Sequence, residues 1–356
     1  MTIQELLILT NVREASDLHL IPGHSPAVRI NGELRQLNTF PELTSKEVEQ
    51  MTYSLLNPVQ KEVLLSNKEI DFSTVVTIES GEQIRFRSNA YYERGVIALA
   101  FRLIPGKIKS IEELGLPYLL HDFVKLKSGF VLLTGASGQG KSTTLASLIN
   151  EINQSRSVHI VTVEDPIEYV FPKAKAIVSQ RELEQDTHSW NNALRAMLRE
   201  DPDVAYIGEM RDRETVSAAL TLAETGHLVF STIHTNSASQ SVDRIVDMFP
   251  GNQQQQIRMQ LSMVLSGVIT QRLIPNLMGT RSPAYEIMLA SQSIKSIIRE
   301  GKTHLIDNTI QTSGEMGMKL FEDSLKGLID GNVISLETAL SYAFRPDRLL
   351  ELTKKR

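Results

Sequence analysis

The residues best equipped for chemistry lie in Gly129-Phe130-Val131-Leu132-Leu133-Thr134-Gly135-Ala136-Ser137-Gly138-Gln139-Gly140-Lys141-Ser142-Thr143-Thr144. An apolar run leads straight into Gly-x-x-x-x-Gly-Lys-Ser, and Leu145, Ala146, Leu148 and Ile149 then recur at helical spacing, which gives strand, glycine-rich loop and helix in that order. Glycines at 135, 138 and 140 let backbone amides turn inward around a phosphate, with the positive end of the helix behind them. Lys141 is then placed to reach the β- and γ-phosphates and Ser142 to ligand a magnesium ion, with Ser137, Gln139 and Thr143 completing the loop. The guanine-reading Asn-Lys-x-Asp is missing: Asn67-Lys68 precedes the loop and has no Asp at the required place. ATP with Mg2+ is therefore the expected ligand pair.

Three more short apolar runs follow, Val158-His159-Ile160-Val161-Thr162-Val163, Val204-Ala205-Tyr206-Ile207 and Leu228-Val229-Phe230-Ser231-Thr232-Ile233. Each suits a buried parallel strand, and ligands of open parallel sheets gather beyond the carboxyl ends of the strands. Those ends carry Glu164-Asp165-Pro166-Ile167-Glu168, Gly208-Glu209-Met210-Arg211-Asp212 and His234-Thr235. Hydrolysis needs one carboxylate to orient or deprotonate water and another near magnesium, and Glu164 and Glu209 are the best placed for these tasks. A neutral His234 could donate to a γ-phosphate oxygen and so report whether ATP or ADP is bound. His227, at the opposite end of the same strand, is a more remote candidate for nucleotide contact. The loop supplies a single lysine, so Arg85, Arg87 and Arg94, with Arg102, are candidates to bring positive charge to a nucleotide held by a neighbouring subunit.

These groups need a scaffold. The 356 residues suffice for two domains, and a net charge of −5 with a pI near 6.0 argues against a chain that mainly coats nucleic acid. No cysteine is present, which excludes disulfides, thiolate zinc sites and cysteine nucleophiles. Met1-Thr2-Ile3-Gln4-Glu5 lacks the basic start of a signal peptide and no apolar run approaches a membrane span, so a cytosolic protein without membrane insertion is expected. Residues 1–103 read as a small α+β domain. Ile3, Leu6, Leu7 and Thr10 share a helix face, Asp17–Leu20 begins a strand, and Val28–Leu34 alternates around Asn31-Gly32, a hairpin signal. Helices follow over 44–56 and 58–65, then strands over 84–90 and 96–102 joined at Glu93-Arg94-Gly95. Residues 104–112 form the expected linker, and 113–356 the α/β domain. There Asp186 or Thr187 is expected to cap the helix bearing Trp190, Ala193, Leu194, Met197 and Leu198. Gly226 is expected to end the helix carrying Val216 through Ala223. Beyond Pro250 the chain reads as mostly helical, with Ile257, Leu261, Val264, Leu265 and Val268 on one stripe.

Together these segments resemble the type IV pilus retraction ATPases, the PilT-like twitching-motility proteins of the secretion ATPase superfamily. The likeness runs from Ala15-Ser16-Asp17-Leu18-His19-Leu20 to the C-terminal helices. Glu164 to Glu168 resembles the family's aspartate box, Leu198 to Asp212 its Walker B region, and Ala223 to Thr235 its histidine box. The resemblance implies a RecA-like P-loop NTPase core with an N-terminal PAS-like domain and C-terminal helices, forming a cytoplasmic homohexamer. That ring would hydrolyse Mg-ATP at sites shared between neighbours and work at the inner membrane through a pilus platform protein. It further implies that Glu164 is the catalytic glutamate, Glu209 the Walker B glutamate, and Arg85, Arg87 and Arg94 part of an arginine-bearing region. Two departures stand out. The usual loop reads Gly-Pro-Thr-Gly-Ser-Gly-Lys-Ser, so Ala136, Ser137 and Gln139 are replacements at backbone-contributing positions, and Gln139 is the one expected to alter rate. The retraction motif Ala-Ile-Arg-Asn-Leu-Ile-Arg-Glu is present as Ser293-Ile294-Lys295-Ser296-Ile297-Ile298-Arg299-Glu300. Rival readings are a filament-assembly or secretion ATPase, a RecA-like nucleic-acid motor and a regulatory nucleotide-binding protein. The four-cysteine zinc insertion usual in assembly members cannot be built here, the acidic balance disfavours a nucleic-acid motor, and Glu164 with Glu209 disfavours a passive binder.

Overall fold

The computed structural model describes residues 2–30, 32–78, 81, 83–104 and 106–354. It divides into two compact units, Met1–Lys107 with Glu168–Val170, and Ile108–Ile167 with Phe171–Arg356. Pro105, expected in the linker, and Asn31, expected in the first hairpin, lie outside the described residues.

The first unit runs α1 (Ile3–Val12), β1 (Asp17–Leu20), β2 (Ala27–Ile30), β3 (Glu33–Gln36), α2 (Ser45–Leu55), α3 (Pro58–Asn67), β4 (Glu69–Thr77), β5 (Gln83–Glu93) and β6 (Val96–Ile104). Thr2, Thr44 and Asn57 start the three helices through reciprocal capping boxes, so each start is fixed by its own side chain. The six strands form an antiparallel sheet in the order β3-β2-β1-β6-β5-β4. Arg94 and Gly95, both at positive φ, make the two-residue turn between β5 and β6. Strand β4 has no counterpart in the expected pattern, although Ile70, Phe72, Thr74 and Val76 alternate inward along it.

The second unit contains α4 (Leu120–Val124), β7 (Gly129–Thr134), α5 (Lys141–Ser155), β8 (His159–Glu164), β9 (Ile177–Glu182), α6 (Trp190–Met197), β10 (Val204–Ile207), α7 (Arg213–Glu224), β11 (Leu228–Ile233), α8 (Ala238–Asp247), α9 (Gly251–Val264), β12 (Leu265–Pro275) and β13 (Arg281–Leu289). Helices α10 (Gln292–Glu300), α11 (Ile306–Thr312), α12 (Phe321–Asp330), α13 (Leu336–Tyr342) and α14 (Pro346–Lys354) complete it. Its sheet has seven strands in the order β13-β12-β7-β11-β10-β8-β9, parallel except for β13. The four apolar runs are β7, β8, β10 and β11, and residues such as Leu132, Val161, Ala205 and Val229 are wholly buried in one core with α7. Each such leucine or valine side chain contributes about 1.5–3 kcal/mol by leaving water.

Three expectations are corrected. Ser189, not Asp186 or Thr187, caps α6, accepting from the Asn192 amide, while Asp186 accepts from the amide of Glu182. The apolar stripe beyond Pro250 is not one helix: α9 ends at Val264, and Leu265 and Val268 lie on β12, paired parallel to β7. At Gly267 an added Cβ would lie 2.7 Å from the Phe123 ring, so only glycine lets the chain pass there as a strand. The C-terminal region is thus a two-stranded extension of the sheet before it turns helical, and β9 is a further unexpected strand. The segment resembling the retraction motif falls on α10, with Ile294 and Ile298 buried.

His121, near the start of α4, is held between the carboxylates of Glu151 on α5 and Glu112, each at 2.7 Å. Its hydrogen bond to Glu151, helped by that to Glu112, raises its pKa against the opposing effect of burial. A raised folded-state pKa gives stability that is fully present below the unfolded value near 6.5 and is lost as pH rises through the folded value. Replacing His121 with Gln is expected to lower the melting temperature by about 2–4 °C near pH 6. The loss should shrink toward pH 9, as read by thermal unfolding across that range.

Candidate nucleotide-binding site

Strand β7 ends at Thr134 and the loop begins at Gly135, whose φ of 143° suits glycine and where a Cβ would lie 2.4 Å from the carbonyl oxygen of Gln271. At Gly138 an added Cβ meets nothing within 4 Å, so the turn faces open space there. Helix α5 starts at Lys141 without a side-chain cap, leaving its positive end to the loop. The Lys141 ammonium donates to the carbonyls of Gly135 and Ala136 at 2.7 and 2.9 Å, so the buried lysine closes the loop upon itself. This cradle fits an anionic phosphate: open glycine turns, a helix N-terminus and one cation converge on it.

Glu164, Glu209 and His234 gather at the same sheet edge. Glu164, 4% exposed at the end of β8, accepts from the Thr162 hydroxyl at 2.7 Å and the Gln180 amide at 3.2 Å. Gly208 at the end of β10 brings the next loop against the Glu164 backbone, where a Cβ would lie 3.3 Å from its Cα. The Met210 amide donates to the Thr232 carbonyl and the Thr232 hydroxyl to the Gly208 carbonyl, which hold that loop to β11. Glu209 then faces His234 at 3.1 Å through Oε1 and accepts from Arg211 at 3.0 Å through Oε2. On its other side His234 Nδ1 is 3.5 Å from the Lys141 ammonium. A line therefore runs Lys141, His234, Glu209, Arg211.

Burial, then the nearby Lys141 charge, lowers the pKa of His234 although Glu209 opposes them. The imidazole is accordingly neutral at pH 7. Lys141 can only donate to Nδ1, so the proton sits on Nε2 and points at Glu209. The contact is a hydrogen bond from a neutral ring and becomes an ion pair only in acid.

Not every candidate is brought together. His227 sits before β11 and binds the Leu222 carbonyl through Nδ1. A six-residue strand separates it from His234, roughly 20 Å by strand rise. Arg85, Arg87, Arg94 and Arg102 belong to the first unit, where Arg85 donates to Ser73, Arg87 lies 3.6 Å from Asp71 and Arg102 bonds Asp17. Contacts absent from the motif reading are Arg211 on Glu209, Gln180 on Glu164, and Gln271 beside the loop. Arg211 stands within a recognised segment, but nothing local marks Gln180, on the unexpected strand β9, or Gln271.

A phosphate loop ahead of a largely parallel sheet, with carboxylates at the ends of the neighbouring strands, defines the class as a RecA-like P-loop nucleotide-binding protein. The family model for type II/IV secretion system proteins matches residues 12–301, and the chain belongs to that family. It is 42% identical to the type IV pilus retractation ATPase PilT of Pseudomonas aeruginosa, over 98% of this chain and 99% of that one. It is also 42% identical to the twitching motility protein of Neisseria gonorrhoeae, over 95% and 89%. Among solved structures, the pilus retraction motor PilT with bound ADP superposes with a TM-score of 0.90 at 44% identity, covering 99% of both chains. The ATPase DotB of Legionella pneumophila superposes with a TM-score of 0.80 at 27% identity, covering 95% of each chain.

In the nucleotide-free protein His234 is expected to titrate below the ordinary histidine value near 6.5. Lys141→Met should raise that pKa, since it removes the facing cation and leaves Glu209. Histidine NMR across pH 4–8 reads both, and an unchanged His234 titration in the variant would contradict the arrangement.

Proposed function

We propose that this chain is the ATP-hydrolysing motor of type IV pilus retraction, acting as a homohexamer on the cytoplasmic side of the inner membrane through a pilus platform protein. The observation that carries the reading is the convergence of Lys141, Glu164, Glu209 and His234 on one sheet edge. Relatives named for retraction and twitching, matched over nearly the full length, support the pilus assignment. Among the described residues no helix is long and apolar enough to cross a membrane, so membrane attachment is assigned to the platform protein.

In this reading Gly135, Ser137, Gly138, Gln139, Gly140 and Thr143 line the phosphates, and Lys141 exchanges its loop carbonyls for the β- and γ-phosphate oxygens. Ser142 would hold Mg2+ directly and Glu209 through water, the ion neutralising charge that develops on the phosphate oxygens. Glu164, fixed by Thr162 and Gln180, orients and deprotonates the attacking water. His234 keeps its proton and turns its Nε2–H hydrogen bond from Glu209 to a γ-phosphate oxygen, so that the line through Lys141 differs with ATP and ADP. Arg85, Arg87 and Arg94 supply positive charge to a neighbour's nucleotide, and His227 contacts nucleotide at most indirectly.

Turnover in Glu164→Gln and Glu209→Ala protein is expected to fall at least about a hundredfold, with Mg-ATP binding retained in Glu164→Gln. Wild-type-like phosphate release in both would sink the mechanism. Cells whose only copy carries Lys141→Ala, at matched protein levels, should show excess surface pili and lose twitching. Bald cells would instead couple the same chemistry to assembly, and unchanged piliation would overturn the pilus role.

A further inference from the structure

The phosphate loop is held from the side by a strand that no motif marks. Beyond the paired Thr134 and Thr270, whose hydroxyls bond at 2.9 Å, β7 gives way to the loop while β12 continues alongside it. The side chain of Gln271, 2% exposed, reaches from β12 into that junction. Its Oε1 accepts from the Thr144 hydroxyl on α5 at 2.8 Å and its Nε2 donates to the Gln139 carbonyl at 2.9 Å. One residue pair further, the Gln139 side chain accepts from the Leu273 amide at 2.7 Å. The backbone and side chain of Gln271 also fill the space that a Cβ at Gly135 or Gly140 would need, at 2.4 and 2.9 Å.

We infer that Gln271 is a positioning residue for the nucleotide, its carboxamide tying the last turn of the loop to the first turn of α5, and that Gln139 adds a second tie through Leu273. A carboxamide suits the place because it offers one acceptor and one donor in fixed geometry. The hydroxyl takes the oxygen and the carbonyl takes the amide, so both polar ends are satisfied in a dry setting. Between them lie Gly140 and Lys141, so the tie sets the direction in which the loop amides and the Lys141 ammonium point. The usual serine at position 139 has a side chain too short to span this distance to the strand. This chain therefore carries a loop more firmly preset than the common one. The inference rests on the nucleotide-binding reading above.

The test is ADP binding by calorimetry, which needs no turnover, on wild type, Gln271→Met, Gln271→Glu and Gln139→Ser, with melting temperatures in parallel. Gln271→Met, of similar volume without either bond, is expected to bind ADP about tenfold more weakly while its melting temperature moves little. Gln139→Ser should give a smaller loss, about threefold, and the two changes together should be non-additive. Gln271→Glu separates positioning from packing. At pH 8 its carboxylate faces the Gln139 carbonyl and ADP binding should fall below that of Gln271→Met, whereas near pH 5.5 the protonated acid donates as the amide did and affinity relative to wild type should recover. Equal ADP affinity in all four proteins overturns the inference, as does a loss in Gln271→Met that tracks its melting temperature with no recovery of Gln271→Glu in acid. Failure of wild type itself to bind ADP would instead overturn the nucleotide-binding reading.

Discussion

Backbone hydrogen bonding between β7, β8, β10 and β11 makes four strands run parallel and stop at one edge, and each chemical group of the candidate site hangs from that edge. Phosphate loop, Glu164, Glu209 and His234 come from segments up to a hundred residues apart in the chain. None contacts another by local geometry. They meet because Leu132, Val163, Ile207 and Ser231 lie in neighbouring registers, so that the residues just beyond them emerge side by side. A slip of one residue in any strand would turn its functional side chain to the other face of the sheet. These almost wholly buried strands resist such a slip because burial on both faces fixes their depth.

The polar groups along that edge also satisfy one another. Lys141 spends its hydrogen bonds on the Gly135 and Ala136 carbonyls, Glu209 is shared between His234 and Arg211, and Glu164 is held by Thr162 and Gln180. Nucleotide binding must then be an exchange of partners, which keeps buried polar groups paired throughout. The neutral tautomer of His234 gives the exchange a direction, since its one N–H faces the carboxylate and its one acceptor faces the cation.

What was legible in the sequence follows from how far each signal reaches. The loop and its helix are contiguous, and the four buried strands are short apolar runs, so both could be read from adjacent residues. The convergence of Glu164, Glu209 and His234 was legible because each follows such a run. The edge strands were not. Ile177-Val178-Ser179-Gln180-Arg181-Glu182 is mostly polar, as suits β9 with a neighbour on one side only. Across α9 and β12 the spacing of Leu261, Val264, Leu265 and Val268 imitates one helix, and the outcome turns on Gly267 against Phe123 and on pairing with a strand more than 130 residues earlier. Contacts such as Thr144 with Gln271 are invisible for the same reason: two ordinary polar residues carry no mark of being neighbours.

Strand β12 presents its residues alternately to two sides. Gln271 serves the loop, while Arg272 lies over the ring of Phe344 at 4.2 Å and donates to the Tyr342 carbonyl and to Asn236, two residues past His234. Insertion or deletion of a single residue between Thr270 and Leu273 would exchange these duties, presenting a guanidinium to the phosphates and an amide to the aromatic cluster. A substitution on β12 alters one contact at a time, whereas a change in its residue count there would alter both faces at once.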